Sequence, residues 1–247
     1  MKPSASWLLA ACFSLPVLAQ DGVPRRVVCY DDLFVPFFMQ QGGKYYGLSA
    51  DTIMEAGRRA GIQVELRHMP WRRLESELAQ HKIACAFALS HTPERDAYLD
   101  FGKVPLNPTD YVVFVREDSP IRTLDDLNGK TIGIRAGVRI AEGIAQGNKE
   151  GRWNLAAVGT DAANFQKLAL GRVDAVVTDL TGGLYTLKQI DMRRVRHLQP
   201  PLMHYDTYMV FPKGERSAAL AAAFDHALDK MRQDGTTERI TDRYLGP

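Results

Sequence analysis

Ile83-Ala84-Cys85-Ala86-Phe87-Ala88-Leu89 is a compact apolar run, and Ser90-His91-Thr92-Pro93-Glu94-Arg95 follows it directly. A short apolar run closed by polar turn residues reads as a buried strand. Upstream, Arg26 to Tyr30 and Val64 to His68 read as two more strands. Between them, Asp51 to Ala60 reads as a helix closed by Gly61. Pro70 opens a second helix, with Leu74 and Leu78 on one face. This strand–helix alternation implies a parallel sheet with crossover helices.

A similar unit follows. Thr131 to Ile134, Leu155 to Val158 and Ala175 to Thr178 read as strands, with helices over Arg139 to Ala145 and Ala162 to Leu170. Two β-rich runs, Tyr111 to Arg116 and Tyr208 to Phe211, suit a bridge between the units. Ser217 to Gln233 is amphipathic, burying Leu220, Phe224, Ala227, Leu228 and Met231, and Thr237 to Tyr244 reads as a last short helix. The expectation is an α/β chain of two lobes, each a mostly parallel sheet flanked by helices, joined by two hinge strands. One lobe takes residues 24–110 and 204–247, the other residues 111–203.

The 247 residues carry a net charge of +2, with 45% hydrophobic and 24% charged residues. That balance excludes a disordered chain and gives no electrostatic footprint for nucleic acid. Lys2, the apolar stretch from Trp7 to Leu18 and Val17-Leu18-Ala19 before Gln20 read as a signal peptide over residues 1–19. Leu9-Ala10-Ala11-Cys12 offers the alternative of a lipoprotein box. After cleavage Cys29 and Cys85 remain; buried thiols are the plainer reading, and a disulfide in an oxidising compartment is the other. Two isolated cysteines without paired histidines make no metal site.

Open α/β sheets bind ligands beyond the carboxyl ends of their strands. After the first strand come Asp31, Asp32 and Phe34, a turn with acids and an aromatic at the cleft edge; its aspartates could equally cap a helix or face water. After the third comes Ser90, a donor, with Arg95, whose planar fork matches a carboxylate. Glu94 and Asp96 are adjacent alternatives as its counter-ion. Asp179 follows the last strand of the second unit, where a carboxylate can receive an ammonium or cap the next helix. Together, Arg95 and Asp179 would bridge a zwitterion. No Gly-x-Ser-x-Gly, His-Glu-x-x-His or phosphate-binding glycine loop is present.

These pieces, in this order, resemble the bacterial extracellular solute-binding proteins of family 3, the amino-acid-binding components of ABC importers. The resemblance spans Pro36-Phe37, Gly47-Leu48-Ser49-Ala50-Asp51, Pro70-Trp71, Thr92-Pro93-Glu94-Arg95, residues 124–133, residues 171–175 ending at Asp179, and residues 231–235. It implies a type II periplasmic-binding-protein fold and a periplasmic location. It also implies that Arg95 and Ser90 hold a ligand carboxylate, Asp179 an ammonium, and Phe34 an aromatic contact. Trp71 joins that set, and Asp31 falls where members favouring polar or basic side chains carry an acid. Gly137 and Val138 stand where the family offers glycine and threonines, so backbone N–H groups would serve there, and Arg139 faces either the ligand or water. The expected partners are a small amino acid or related carboxylate and either an importer permease or a sensor receptor. The chain is expected to be a monomer without cofactor or catalysis. The competing enzymatic reading is a dehydratase on the same fold, with Glu142 as its acid or base.

Overall fold

The computed structural model describes residues 23–136 and 141–246. The leader with Cys12, and Gly137, Val138 and Arg139, lie outside the described residues.

The first unit runs β1 (Arg26–Asp31), β2 (Met39–Gln41), β3 (Lys44–Tyr46), α1 (Leu48–Ala60), β4 (Gln63–His68), α2 (Trp71–Ala79), β5 (Cys85–Leu89), α3 (Pro93–Asp96) and β6 (Leu99–Phe101). The long strand β7 (Asn107–Arg116) leads into the second unit. That unit holds β8 (Thr131–Arg135), α4 (Glu142–Lys149), β9 (Asn154–Val158), α5 (Asp161–Ala169), β10 (Ala175–Asp179), α6 (Leu180–Gln189) and β11 (Val195–His197). A second long strand, β12 (Met203–Pro212), returns to α7 (Ser217–Gln233) and α8 (Thr236–Leu245).

The strand order is β4-β1-β5-β12-β7-β10-β8-β9. Within each unit the pairs β1–β4, β1–β5, β8–β9 and β8–β10 are parallel, as crossover helices require. The two long strands exchange partners midway. Met203 to Thr207 of β12 pairs with Asn107 to Tyr111 of β7, whereas Tyr208 to Pro212 turns to β5 and β6. Beyond Tyr111, β7 pairs with β10 and β11 instead. These are the two strands that join the lobes.

Alternation along the strands fills a core on each face. In the first lobe Val27, Cys29 and Phe87 pack with Ile53 of α1 and Phe224 of α7, while Ala86 and Leu89 face Leu74 and Leu78 of α2. In the second lobe Val113 and Val115 join Ile132 and Trp153, while Val112 and Phe114 meet Phe165 and Leu168 of α5. Cys29 and Cys85 are direct partners across the β1–β5 pair and form a disulfide, with Cα atoms 4.5 Å apart. That corrects the reading of two buried thiols; spacing in the sequence does not show that these two strands are neighbours in register.

Gly47 starts α1 at φ +129°, and a Cβ there would lie 2.5 Å from the Phe37 carbonyl oxygen. The close approach lets Leu48 and Ser49 N–H donate to the Pro36 and Phe37 carbonyls. The first turn of α1 thus holds the Phe34–Phe38 turn at the cleft edge.

Candidate functional site

A cavity of about 440 Å³ opens between the lobes. The end of β1 contributes Asp31, Asp32, Phe34 and Phe37, and α2 contributes Trp71. Ala88 and Ser90 come from the end of β5, and Arg95 from α3. Asn107, Thr109, Tyr111, Met203, Tyr205 and Thr207 of the two long strands form the floor. Arg135 and Ala136, at the end of β8, form the opposite wall. Five of the residues expected from sequence therefore surround one space: Asp31, Phe34, Trp71, Ser90 and Arg95.

Local capping places them. Thr92 caps α3 by accepting from Arg95 N–H, with Pro93 as the first helical residue. Asp32 Oδ2 accepts from Trp71 N–H at 3.0 Å and so sets the start of α2, while its Oδ1 meets His68 Nε2 at 3.0 Å. Ala88, the penultimate residue of β5, adopts φ +59°, uncommon for a residue with a Cβ, next to the bulge between Tyr208 and Val210. That kink lies two residues before Ser90 at the cavity wall.

The Arg95 guanidinium lies 5.3 Å from the centre of the Trp71 ring. It donates to the Ser90 carbonyl at 2.9 Å and to Glu75 Oε1 at 2.6 Å. Its counter-ion is therefore Glu75 of α2 rather than its neighbours Glu94 and Asp96; Asp96 instead meets His91 at 2.7 Å. A guanidinium has five N–H donors, so Arg95 retains donors for a ligand.

Asp31 is buried and accepts from Asp32 N–H at 2.8 Å. Burial pushes its carboxyl well above the usual range; the Asp32 N–H pulls the other way, and the Asp32 charge raises it further. Burial therefore favours the protonated form of Asp31. Asp179 does not line the cavity. It is 1% exposed, pairs in register with Tyr111 of the floor, and accepts from Gly182 N–H at 2.6 Å, capping α6. Its other oxygen has no hydrogen-bond partner among the described residues. Burial, with the nearby Asp161 charge, lifts its carboxyl to about 7 against the pull of Gly182 N–H and Arg135. Tyr111 is pushed up to about 12 by burial and by Asp179 and Asp161, so its hydroxyl keeps its proton.

Residues 27–247 match the profile of the bacterial extracellular solute-binding proteins, family 3. The chain belongs to that family.

Among relatives of this family 3 protein, the L-cystine-binding protein TcyJ of Bacillus subtilis is 29% identical, covering 85% of this chain and 79% of its own. The probable amino-acid ABC transporter extracellular-binding protein ytmK of Bacillus subtilis superposes with a TM-score of 0.76 at 22% identity, covering 91% of this chain and 98% of its own. The arginine-, lysine-, histidine-binding protein ArtJ of Geobacillus stearothermophilus superposes with a TM-score of 0.67 at 26% identity, over 91% and 96% of the two chains.

The cavity is also lined by residues that the sequence does not single out for it, Thr109, Tyr111, Tyr205 and Arg135, and Glu75 stands behind Arg95 as its counter-ion. Arg135 is the last residue of β8, where the strand-end rule points, just ahead of the Gly137 and Val138 expected from the sequence. The floor residues gave no comparable signal, because they lie within strands. Glu142, the acid of the dehydratase reading, is exposed at the start of α4 and does not line the cavity.

Proposed function

We propose that this family 3 protein captures a small polar amino acid in the cleft and hands it unaltered to the permease of an ABC importer. The observation that supports this reading most is Arg95: a guanidinium held by Glu75, Trp71 and the Ser90 carbonyl, facing a cavity, with donors to spare. On this reading Arg95 and the Ser90 hydroxyl take the ligand carboxylate, with N–H groups at Gly137 and Val138 completing the grip from the other lobe. Phe34 and Trp71 line the sides, and Asp31 offers its carboxyl to a polar group of the ligand. Asp179 lies beside Tyr111 and off the cavity wall, so on this reading its unpartnered oxygen meets the ammonium only when the floor shifts on binding, while Gly182 holds the other oxygen. An unsatisfied buried carboxylate oxygen is unfavourable, and a ligand ammonium would relieve it.

Lobe closure follows from differential affinity: a ligand that touches both walls favours the closed arrangement by that difference alone. The proposed lobes are residues 24–110 with 204–247, and residues 111–203, acting as a monomer in the periplasm after removal of residues 1–19. The reading includes no chemistry on the ligand.

A calorimetric titration of amino acids against the native chain and Arg95→Ala tests it. Binding should be lost by about 3–5 kcal/mol in the variant, since truncation leaves a buried carboxylate unpaired. Near-native affinity in a folded Arg95→Ala protein would refute the assignment.

A further inference from the structure

Arg135 is a second guanidinium on the cavity wall, and it comes from the lobe opposite Arg95. Its Cζ lies 4.9 Å from the centre of the Phe34 ring, so the contact reaches across the cleft. Phe34 is itself stacked on Phe37 at 5.7 Å. Among the described residues, none accepts a hydrogen bond from Arg135 and no carboxylate lies within ion-pair distance of it. That sets it apart from Arg95, which has Glu75 and the Ser90 carbonyl. An aromatic face supports a cation weakly and leaves all of its N–H donors unsatisfied. The acids that act on Arg135 electrostatically, Asp161 and Asp179, do not line the cavity, and burial raises both of their carboxyls toward the neutral form. Asp31, the buried acid on the cavity wall, is raised in the same way. The cleft therefore holds two guanidinium groups on facing walls, and an amino acid with a single carboxylate satisfies only one.

We infer that Arg135 is a specificity-determining residue that receives a second carboxylate on the ligand, so that the preferred solute is an amino acid with two acidic ends. This rests on the function proposed above, which assigns the first carboxylate to Arg95. The Phe34 ring holds Arg135 in place until that carboxylate arrives. Two kinds of solute share this chemistry: a diacid with one amine, such as glutamate, and a double-headed zwitterion, such as cystine.

The test is calorimetric titration of the full chain with L-glutamate, L-cystine, L-glutamine, L-arginine and succinate, repeated with Arg135→Gln and Arg135→Lys. A charge-assisted contact predicts that glutamate or cystine binds roughly tenfold to hundredfold tighter than glutamine or arginine. Arg135→Gln should abolish that difference, and Arg135→Lys should retain part of it. Whichever of glutamate and cystine binds tighter identifies the kind of solute. If Arg135→Gln does not fold, as judged by its melting curve, the ligand order of the native chain decides the question with Arg135→Lys. Tightest binding of glutamine or arginine, or an acid preference that survives Arg135→Gln, overturns the inference and leaves the amino-acid reading standing. Binding of succinate alone, dependent on Arg135, keeps the role of Arg135 and removes the amino-acid reading. Binding of none of the five removes both.

Discussion

Glu75 Oε1 accepts a hydrogen bond from Arg95 at 2.6 Å, and the arginine side chain is only 14% exposed. Glu75 and Trp71 stand one helical turn apart on α2, so a single helix face supplies both the counter-ion and the aromatic surface against which the guanidinium rests. Two of its donors are spent on Glu75 and Ser90, and the rest are left in a fixed plane.

Glu75→Gln is accordingly expected to weaken ligand binding rather than strengthen it. Loss of the ion pair frees a competing cation but also releases its orientation, and the second effect should dominate for a guanidinium this enclosed. A penalty of about 1 kcal/mol, roughly fivefold in Kd, is the expected scale for a partly exposed pair. Titration calorimetry decides it, and a tighter complex would mean that Glu75 acts as a competitor of the ligand.

Acidity gives a separate handle through Asp179. Its carboxyl titrates at about 7 in the folded chain, against an ordinary value of 3.8. The folded state therefore binds a proton that the unfolded state has released. This contribution to stability is complete below about pH 4 and is lost as pH rises through about 7. Asp31 acts in the same direction. The ligand-free protein should lose melting temperature between pH 4 and 7, and Asp179→Asn, which can still cap α6, should flatten that fall in part. Ligand affinity should run the other way, weakening below pH 7 as the carboxylate meant for the ammonium is protonated. Melting curves and Kd values across that range test both; a slope unchanged by Asp179→Asn would remove the residue from the titration.

The Cys29–Cys85 disulfide should matter for stability and not for recognition. It closes a loop of 56 residues, which predicts about 4 kcal/mol from chain entropy alone. Its sulfurs lie in the apolar core under α1 and α7, away from the cavity. Denaturant unfolding of the Cys29→Ser, Cys85→Ser double variant measures the first claim and ligand titration the second. A large change in Kd at full folding would contradict the separation.

Much of this architecture was legible from residue order. The strand and helix periods from Arg26 to Leu89 and from Thr131 to Thr178 gave both α/β units, and Ser217–Gln233 forms the expected helix over its whole length. α6 entered the sequence reading only as the helix that Asp179 could cap, without bounds, because Gly182 and Gly183 depress its helix propensity; what holds it is the Asp179 cap and the tight packing of Gly183 against Phe114. The β2–β3 hairpin and the short strands β6 and β11 also went unread, being three residues each; β6 and β11 in addition pair with strands distant in sequence. Within the site, Arg95 and Ser90 were found because they follow a strand. Glu75 was missed because nothing in a run of helical charges marks which one turns toward the cleft. At Asp179 the structure shows the cap: one oxygen accepts from Gly182 N–H, and the other has no hydrogen-bond partner among the described residues.

Strands β7 and β12 belong to both lobes, each surrendering one set of neighbours for another halfway along. Their central residues, from Asn107 to Tyr111 and from Met203 to Thr207, are also the bottom of the cavity. The part of the molecule that must twist when the lobes swing is thus the part the guest rests on. Substitutions at Thr109, Tyr111 or Tyr205 cannot retune selectivity without also resetting how readily the jaws shut, so in this protein choosiness and closing tendency must evolve together.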